Sequence, residues 1–210
     1  MQHNLKLIED AAESLGSEYR GRRCGSFGNA AIFAFYPNKQ ITTGEGGCVL
    51  TNDDDIARLS RSMRNQGRSD DDGWLHHSRL GYNYRLSEIN CALGLAQLER
   101  IDEMLEHRRR VASQYDERLK GLATVTVPYQ APDVKLSHFV YVIRLDDGYT
   151  AEDRNRIICR LRERGIGCSD YFTPIHLQPL YRAMGYSEGD FPVTESVAAR
   201  TIALPFHNRL

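Results

Sequence analysis

Short apolar runs alternate with longer amphipathic segments along this chain, and that alternation predicts an α/β fold. LKLIE, just ahead of Asp10, has the length of a short strand. AAIFAF, from Ala30 to Phe35, and GCVLT, from Gly47 to Thr51, are apolar runs between glycine-rich and polar loops. Runs of that kind fit strands covered on both faces. DDDIARLSRSMRNQG reads as a helix, with aspartates at its start, Arg64 near its end and Gly67 just beyond. RSDDDGWLHHSRLGYNYR follows as a polar loop.

From Ser87, a residue suited to an N-cap, the pattern predicts one long helix to about Lys120. Its first half is apolar nearly all round (Ile89, Ala92, Leu93, Leu95, Ala96) and should be buried. From Leu98 onward Leu98, Ile101 and Leu105 share one face, opposite Asp102, Glu103 and Glu106. A helix that changes character in this way often bridges two domains, so the expected division is residues 1–108 and 109–210. Beyond it, HFVYVIRL reads as a strand, AEDRNRIICRLRERG as a helix closed by Gly165, GIGCSDYF as another strand, and IALP as a last short one. These make a small second α/β lobe.

Composition narrows the function classes. Lys plus Arg total 27 against 28 for Asp plus Glu, a net charge of -1, without the basic excess of a nucleic-acid surface. Hydrophobic residues at 41% suit a globular protein. No apolar run approaches the roughly 20 residues that cross a bilayer, and residues 1–10 lack the pattern of a secretion signal, so a cytoplasmic location is expected. The 5 cysteines are scattered without a Cys-x-x-Cys pair, which points away from a zinc site or disulfide framework and toward reduced, mostly buried thiols. No metal site is expected.

The candidate chemistry centres on GSFGNAAIFAFYPNKQITTGEGG, where Lys39 follows an apolar strand and precedes the glycines 44, 46 and 47. A nucleophilic lysine must be neutral, and desolvation at the end of a buried strand favours the neutral form. Taken alone, a lysine in such a loop is more often an ordinary surface cation, and glycine-rich turns are common. In IEDAAES, Asp10 and two alanines follow a strand. An aspartate there suits a protonated heterocyclic nitrogen, with small neighbours leaving room for a flat ring; read alone, it more often caps a helix.

Together, IEDAAES, the Lys39 segment and LGYNYRLSEINCALGLAQLER resemble the DegT/DnrJ/StrS sugar aminotransferases in order and spacing. The weaker signatures RERGIGCSDYFTPIHLQP and IALPFHNRL extend the resemblance through nearly the whole chain. It implies the fold-type I transferase fold that depends on pyridoxal 5'-phosphate (PLP), here an incomplete large α/β domain plus a small C-terminal α/β domain. It also implies a homodimer with shared active sites that moves an amino group from L-glutamate to a keto-sugar nucleotide.

By the same resemblance, Lys39 would hold PLP and then shuttle protons at the substrate carbon. Asp10 would pair with the ring nitrogen, and Ala12 would pack on the ring face. Glu13, where relatives often place His or Gln, would contact substrate. Arg85 would reach the phosphate of the neighbouring copy, since a guanidinium suits that group. Asn83 and Tyr84 beside it serve equally as packing residues. His176, in YFTPIH, would approach the sugar, although a lone histidine is more often structural.

Two departures stand out. Many relatives have a phosphate-binding serine five residues before the lysine, where this chain has Ala34. Relatives also carry a long segment ahead of the IEDAA motif that supplies a phosphate cradle and a stacking aromatic, and they extend past the last residues seen here. The expectation is therefore a piece of a longer enzyme. Alternatives are a non-catalytic fragment or pseudo-enzyme that only dimerises, and a related PLP-dependent sugar dehydratase. The dehydratases have histidine in place of the lysine, so Lys39 argues against that last reading.

Overall fold

The computed structural model describes His3 and residues 5–69 and 76–210. The stretch from 70 to 75 of the expected polar loop lies outside the described residues. The strands and helices, in chain order, are β1 (Ile8–Asp10), β2 (Glu18–Tyr19), β3 (Arg22–Arg23), β4 (Ala30–Ala34), β5 (Gly47–Leu50), α1 (Asp54–Arg64), α2 (Glu88–Leu98), α3 (Ile101–Leu119), β6 (Val125–Thr126), β7 (Val134–Lys135), β8 (Tyr141–Leu145), α4 (Ala151–Glu163), β9 (Ser169–Asp170), α5 (Pro179–Ala183), α6 (Pro192–Ala198) and β10 (Thr201–Leu204). A 3₁₀ turn spans Ile175–Leu177. Among the described residues no helix is long and apolar enough to cross a membrane.

The chain forms two compact units. The first comprises Met1–Leu105 with Ala131–Phe139, and the second Glu106–Gln130 with Val140–Leu210. In the first unit, β1 pairs parallel with β4 so that Asp10 sits opposite Ile32, and β4 pairs antiparallel with β5 so that Ala34 sits opposite Gly47. A smaller sheet runs β3-β2-β7. In the second unit β6, β8, β10 and β9 form an antiparallel sheet in that order. Its core joins Tyr141, Ile143, Leu145 and Ile202 of the sheet to Ile158 of α4 and Ala112 of α3.

Local chemistry explains the element ends. The Asp53 carboxylate caps α1 by accepting from the N–H groups of Asp55 and Ile56, and Ser87 caps α2 through the N–H of Asn90. Thr150 and Asp153 form a reciprocal capping box at the start of α4.

Several expectations are corrected. The single helix from Ser87 to Lys120 is two helices, parted at Glu99 and Arg100, where the Arg100 N–H turns back to Gln97 in a tighter turn. The apolar first half of it is not buried: Ile89 is 82% exposed, and of α2 only Gly94 is buried. β5 is likewise exposed along its length, not covered on both faces. All five cysteines are free, but only Cys168 is buried.

Candidate active site

Two adjacent parallel strands bring the first group of candidate residues together. β1 ends at Asp10, and its pairing with β4 continues one residue further, because the Ala11 N–H donates to Ile32 C=O at 3.1 Å. The chain then turns, with Ser14 N–H on Ala11 C=O at 3.0 Å. No helix follows, so Asp10 is not a helix cap; its Oδ1 accepts the Ala12 N–H at 3.2 Å and closes a tight turn. Asp10 and Glu13 are exposed, Ala11 is buried and Ala12 is partly covered.

Lys39 lies in the loop that leaves β4. Its N–H donates to Tyr36 C=O at 3.0 Å, and its side chain is only 12% exposed. Nζ donates to Glu13 Oε1 at 2.9 Å and lies 4.6 Å from the centre of the Phe139 ring. An ion pair with a half-exposed glutamate contributes about 0–1 kcal/mol, and the ring adds about 0.5–2 kcal/mol. Together they fix where the amine sits more than they stabilise the fold.

The residues after Lys39 are tucked in. Gln40, Ile41 and Thr43 are buried, and Gln97 of α2 holds Thr42 by both its N–H and its C=O. Gly46 has φ +148°, and a Cβ there would lie 2.5 Å from Thr43 Oγ1, so no other residue fits this turn. Gly94 of α2 is also close to this loop, with Thr43 Cγ2 3.1 Å from where its Cβ would be. Gly94 thus lets helix and loop approach closely, while Gly46 makes the turn itself possible.

Ahead of β4, the Glu9 carboxylate accepts the N–H groups of Gly25 at 2.5 Å and Phe27 at 3.0 Å. Ala34 is the last residue of β4, and its side chain offers no donor. The structure therefore joins Asp10, Ala12, Glu13 and Lys39 on neighbouring strand ends.

It does not join Arg85 to them. Arg85 is exposed and donates from Nη1 to Asn65 Oδ1 at 2.9 Å. Asn83 bridges to Asn65 through the backbone, while Tyr84, 72% exposed, stacks on Tyr82 at 4.9 Å. His176 belongs to the second unit. There it is buried, its Nε2 lies 2.8 Å from Glu195 Oε1 and its ring lies against Phe191. Glu195 also accepts from the Gly189 N–H, and these bonds, Gly189 first and then His176, hold its carboxyl below the usual range.

Phe139, whose ring faces the Lys39 amine, and Gln40 and Ser137, which bond to each other beside it in the chain or fold, did not stand out in the sequence. Only Gln40 had a signal, as the neighbour of the lysine; Ser137 and Phe139 lie some hundred residues away along the chain.

The model of the DegT/DnrJ/EryC1/StrS aminotransferase family matches residues 1–210. The chain belongs to that family. The GDP-perosamine synthase of Caulobacter vibrioides is 41% identical over 207 residues, covering 98% of this chain and 55% of the relative. PseC of Helicobacter pylori, an aminotransferase of pseudoaminic acid biosynthesis, superposes with a TM-score of 0.89 at 30% identity, over 100% of this chain and 56% of that one. Spr1654 of Streptococcus pneumoniae, described as a sugar aminotransferase and solved in a PLP form, gives 0.90 at 26% identity over 98% and 53%. The chain spans about half the length of these family members.

Proposed function

We propose that the protein is a PLP-dependent aminotransferase of amino-sugar biosynthesis that moves an amino group from L-glutamate to a keto-sugar nucleotide, as a cytoplasmic homodimer with shared sites. The observation that carries this reading is the shielded amine of Lys39, held 2.9 Å from Glu13 in the turn that begins at Asp10. The family is PLP-dependent, and the donor set fits that cofactor. A primary amine suits its aldehyde, a strand-end carboxylate suits its protonated ring nitrogen, and two alanines beside that carboxylate leave room for a flat ring.

PLP, when bound, supplies an electron sink for the pair left behind as a C–H bond breaks. The chain's own residues do the rest. Lys39 Nζ holds the cofactor and then moves a proton at the substrate carbon. Asp10 accepts a hydrogen bond from the ring nitrogen and keeps it protonated, and Ala12 lies against the ring. Arg85, already on the surface, binds phosphate in the neighbouring copy. Glu13 contacts the substrate.

The test is transfer of ¹⁵N from labelled glutamate to a panel of keto-sugar nucleotides, read by mass spectrometry of the product. Label in an amino-sugar nucleotide supports the proposal. Turnover of glutamate with PLP but without label in any sugar would overturn the choice of acceptor.

A further inference from the structure

One buried amide ties together the Glu13 turn and the Ser137 segment, both of which reach the Lys39 amine. Gln40 is 3% exposed, and its Nε2 donates to Glu13 C=O at 2.8 Å and to Ser137 Oγ at 2.8 Å. The Glu13 carbonyl can only accept, so the amide has one possible orientation. Its Oε1 is then left buried with no donor. A bare buried acceptor is uncommon and unfavourable, so the two bonds of Nε2 are what justify an amide at this place.

Ser137 is itself buried and held from its other side. Its N–H donates to Ser17 Oγ at 3.0 Å, and the Ser17 hydroxyl donates to Ser137 Oγ at 2.9 Å. Residues 131–139 belong to the first unit although the chain reaches them only after an excursion through the second. Between Ser137 and Phe139 the backbone of His138 adopts φ +36°, in the left-handed region that few non-glycine residues occupy.

We propose that Gln40 and Ser137 form a positioning latch for Lys39. The proposal rests on the reading of Lys39 as the amine that takes PLP. Gln40 directly follows Lys39 and restrains the backbone from which the lysine side chain springs. The same amide restrains Glu13, whose carboxylate meets Nζ, and Ser137, two residues from the Phe139 ring that faces Nζ. Neither Gln40 nor Ser137 touches the amine; both act through residues that do.

The test measures selectivity within a single folded molecule. Purified protein is mixed with substoichiometric PLP and reduced with borohydride, and the ratio of pyridoxyl on Lys39 to pyridoxyl on the surface residue Lys120 is read by peptide mapping. Gln40→Leu keeps the volume and removes both bonds. The ratio is expected to fall about tenfold or more, as small misplacements of a reacting group do, with far-UV circular dichroism unchanged. A merely structural role would lower the urea midpoint and leave the ratio alone, and that result would overturn the latch while keeping Lys39. If the unsubstituted protein shows no preference for Lys39, the reading of Lys39 fails and the latch with it. Should Gln40→Leu not fold, Ser137→Ala, which removes only a hydroxyl, is scored in the same way.

Discussion

Gln97 grips Thr42 from both sides of the peptide chain: its Oε1 accepts the Thr42 N–H at 3.0 Å, and its Nε2 donates to the Thr42 C=O at 2.6 Å. This side chain ties α2 to the loop that contains Lys39. Within the loop Lys39 and Thr43 donate to backbone carbonyls of Tyr36 and Phe35, but the N–H and C=O of Thr42 depend on this side chain for their hydrogen bonds. Gln97→Leu strands both groups in a partly buried place. It should lower the free energy of unfolding by about 1–3 kcal/mol, measured as a shift in urea midpoint at constant slope. A midpoint unchanged from the parent would show that water satisfies Thr42 equally well.

Asp10 offers a cleaner separation of charge from shape. Asn at this position still accepts the Ala12 N–H and preserves the turn, but it lacks the charge that keeps a ring nitrogen protonated. A charge-assisted hydrogen bond of about 1.5–3 kcal/mol corresponds to roughly a 10- to 150-fold loss of rate. Asp10→Asn should therefore fold like the parent and lose that much turnover with glutamate and a keto-sugar nucleotide. Activity within a factor of about two would reduce Asp10 to a turn residue.

At the start of α4 the Thr150 N–H, its hydroxyl and then Arg156 pull the Asp153 carboxyl down to about 2. A lowered carboxyl stabilises the fold fully above its unfolded value of about 3.9 and loses that contribution as the pH falls through the folded value. Thermal unfolding of the parent should therefore fall between about pH 4 and about pH 2 more steeply than that of Asp153→Asn. Parallel curves for the two proteins would contradict the capping account.

Much of this was legible in the chain because the signals are local. β4 follows from an apolar run and α1 from Asp53 and its neighbours, and the short motifs around Lys39 and Asp10 mark those two as candidate site residues. The misses come from contacts that sequence spacing does not encode. The break at Glu99 and Arg100 changes one turn without changing the helical pattern. The all-round apolar face of α2 implied burial, yet burial needs a partner surface, and no described element covers Ile89. Asp10 has a side chain that most often caps a helix, and here it closes a tight turn after β1. The pairing of β1 with β4 continues through Ala11, and no helix starts there. Nothing around Ser137 marks it as a partner of Ser17 and Gln40.

The central claim is that Lys39 is the residue that takes the cofactor. Its most direct test is reduction of the PLP-treated protein with borohydride, followed by peptide mapping of every lysine. The account predicts that Lys39 carries nearly all of the label at stoichiometric PLP, and that this label disappears in Lys39→Ala without transfer elsewhere. Pyridoxyl on Lys6, Lys120 or Lys135 in the unsubstituted protein, with Lys39 left unmodified, would contradict it.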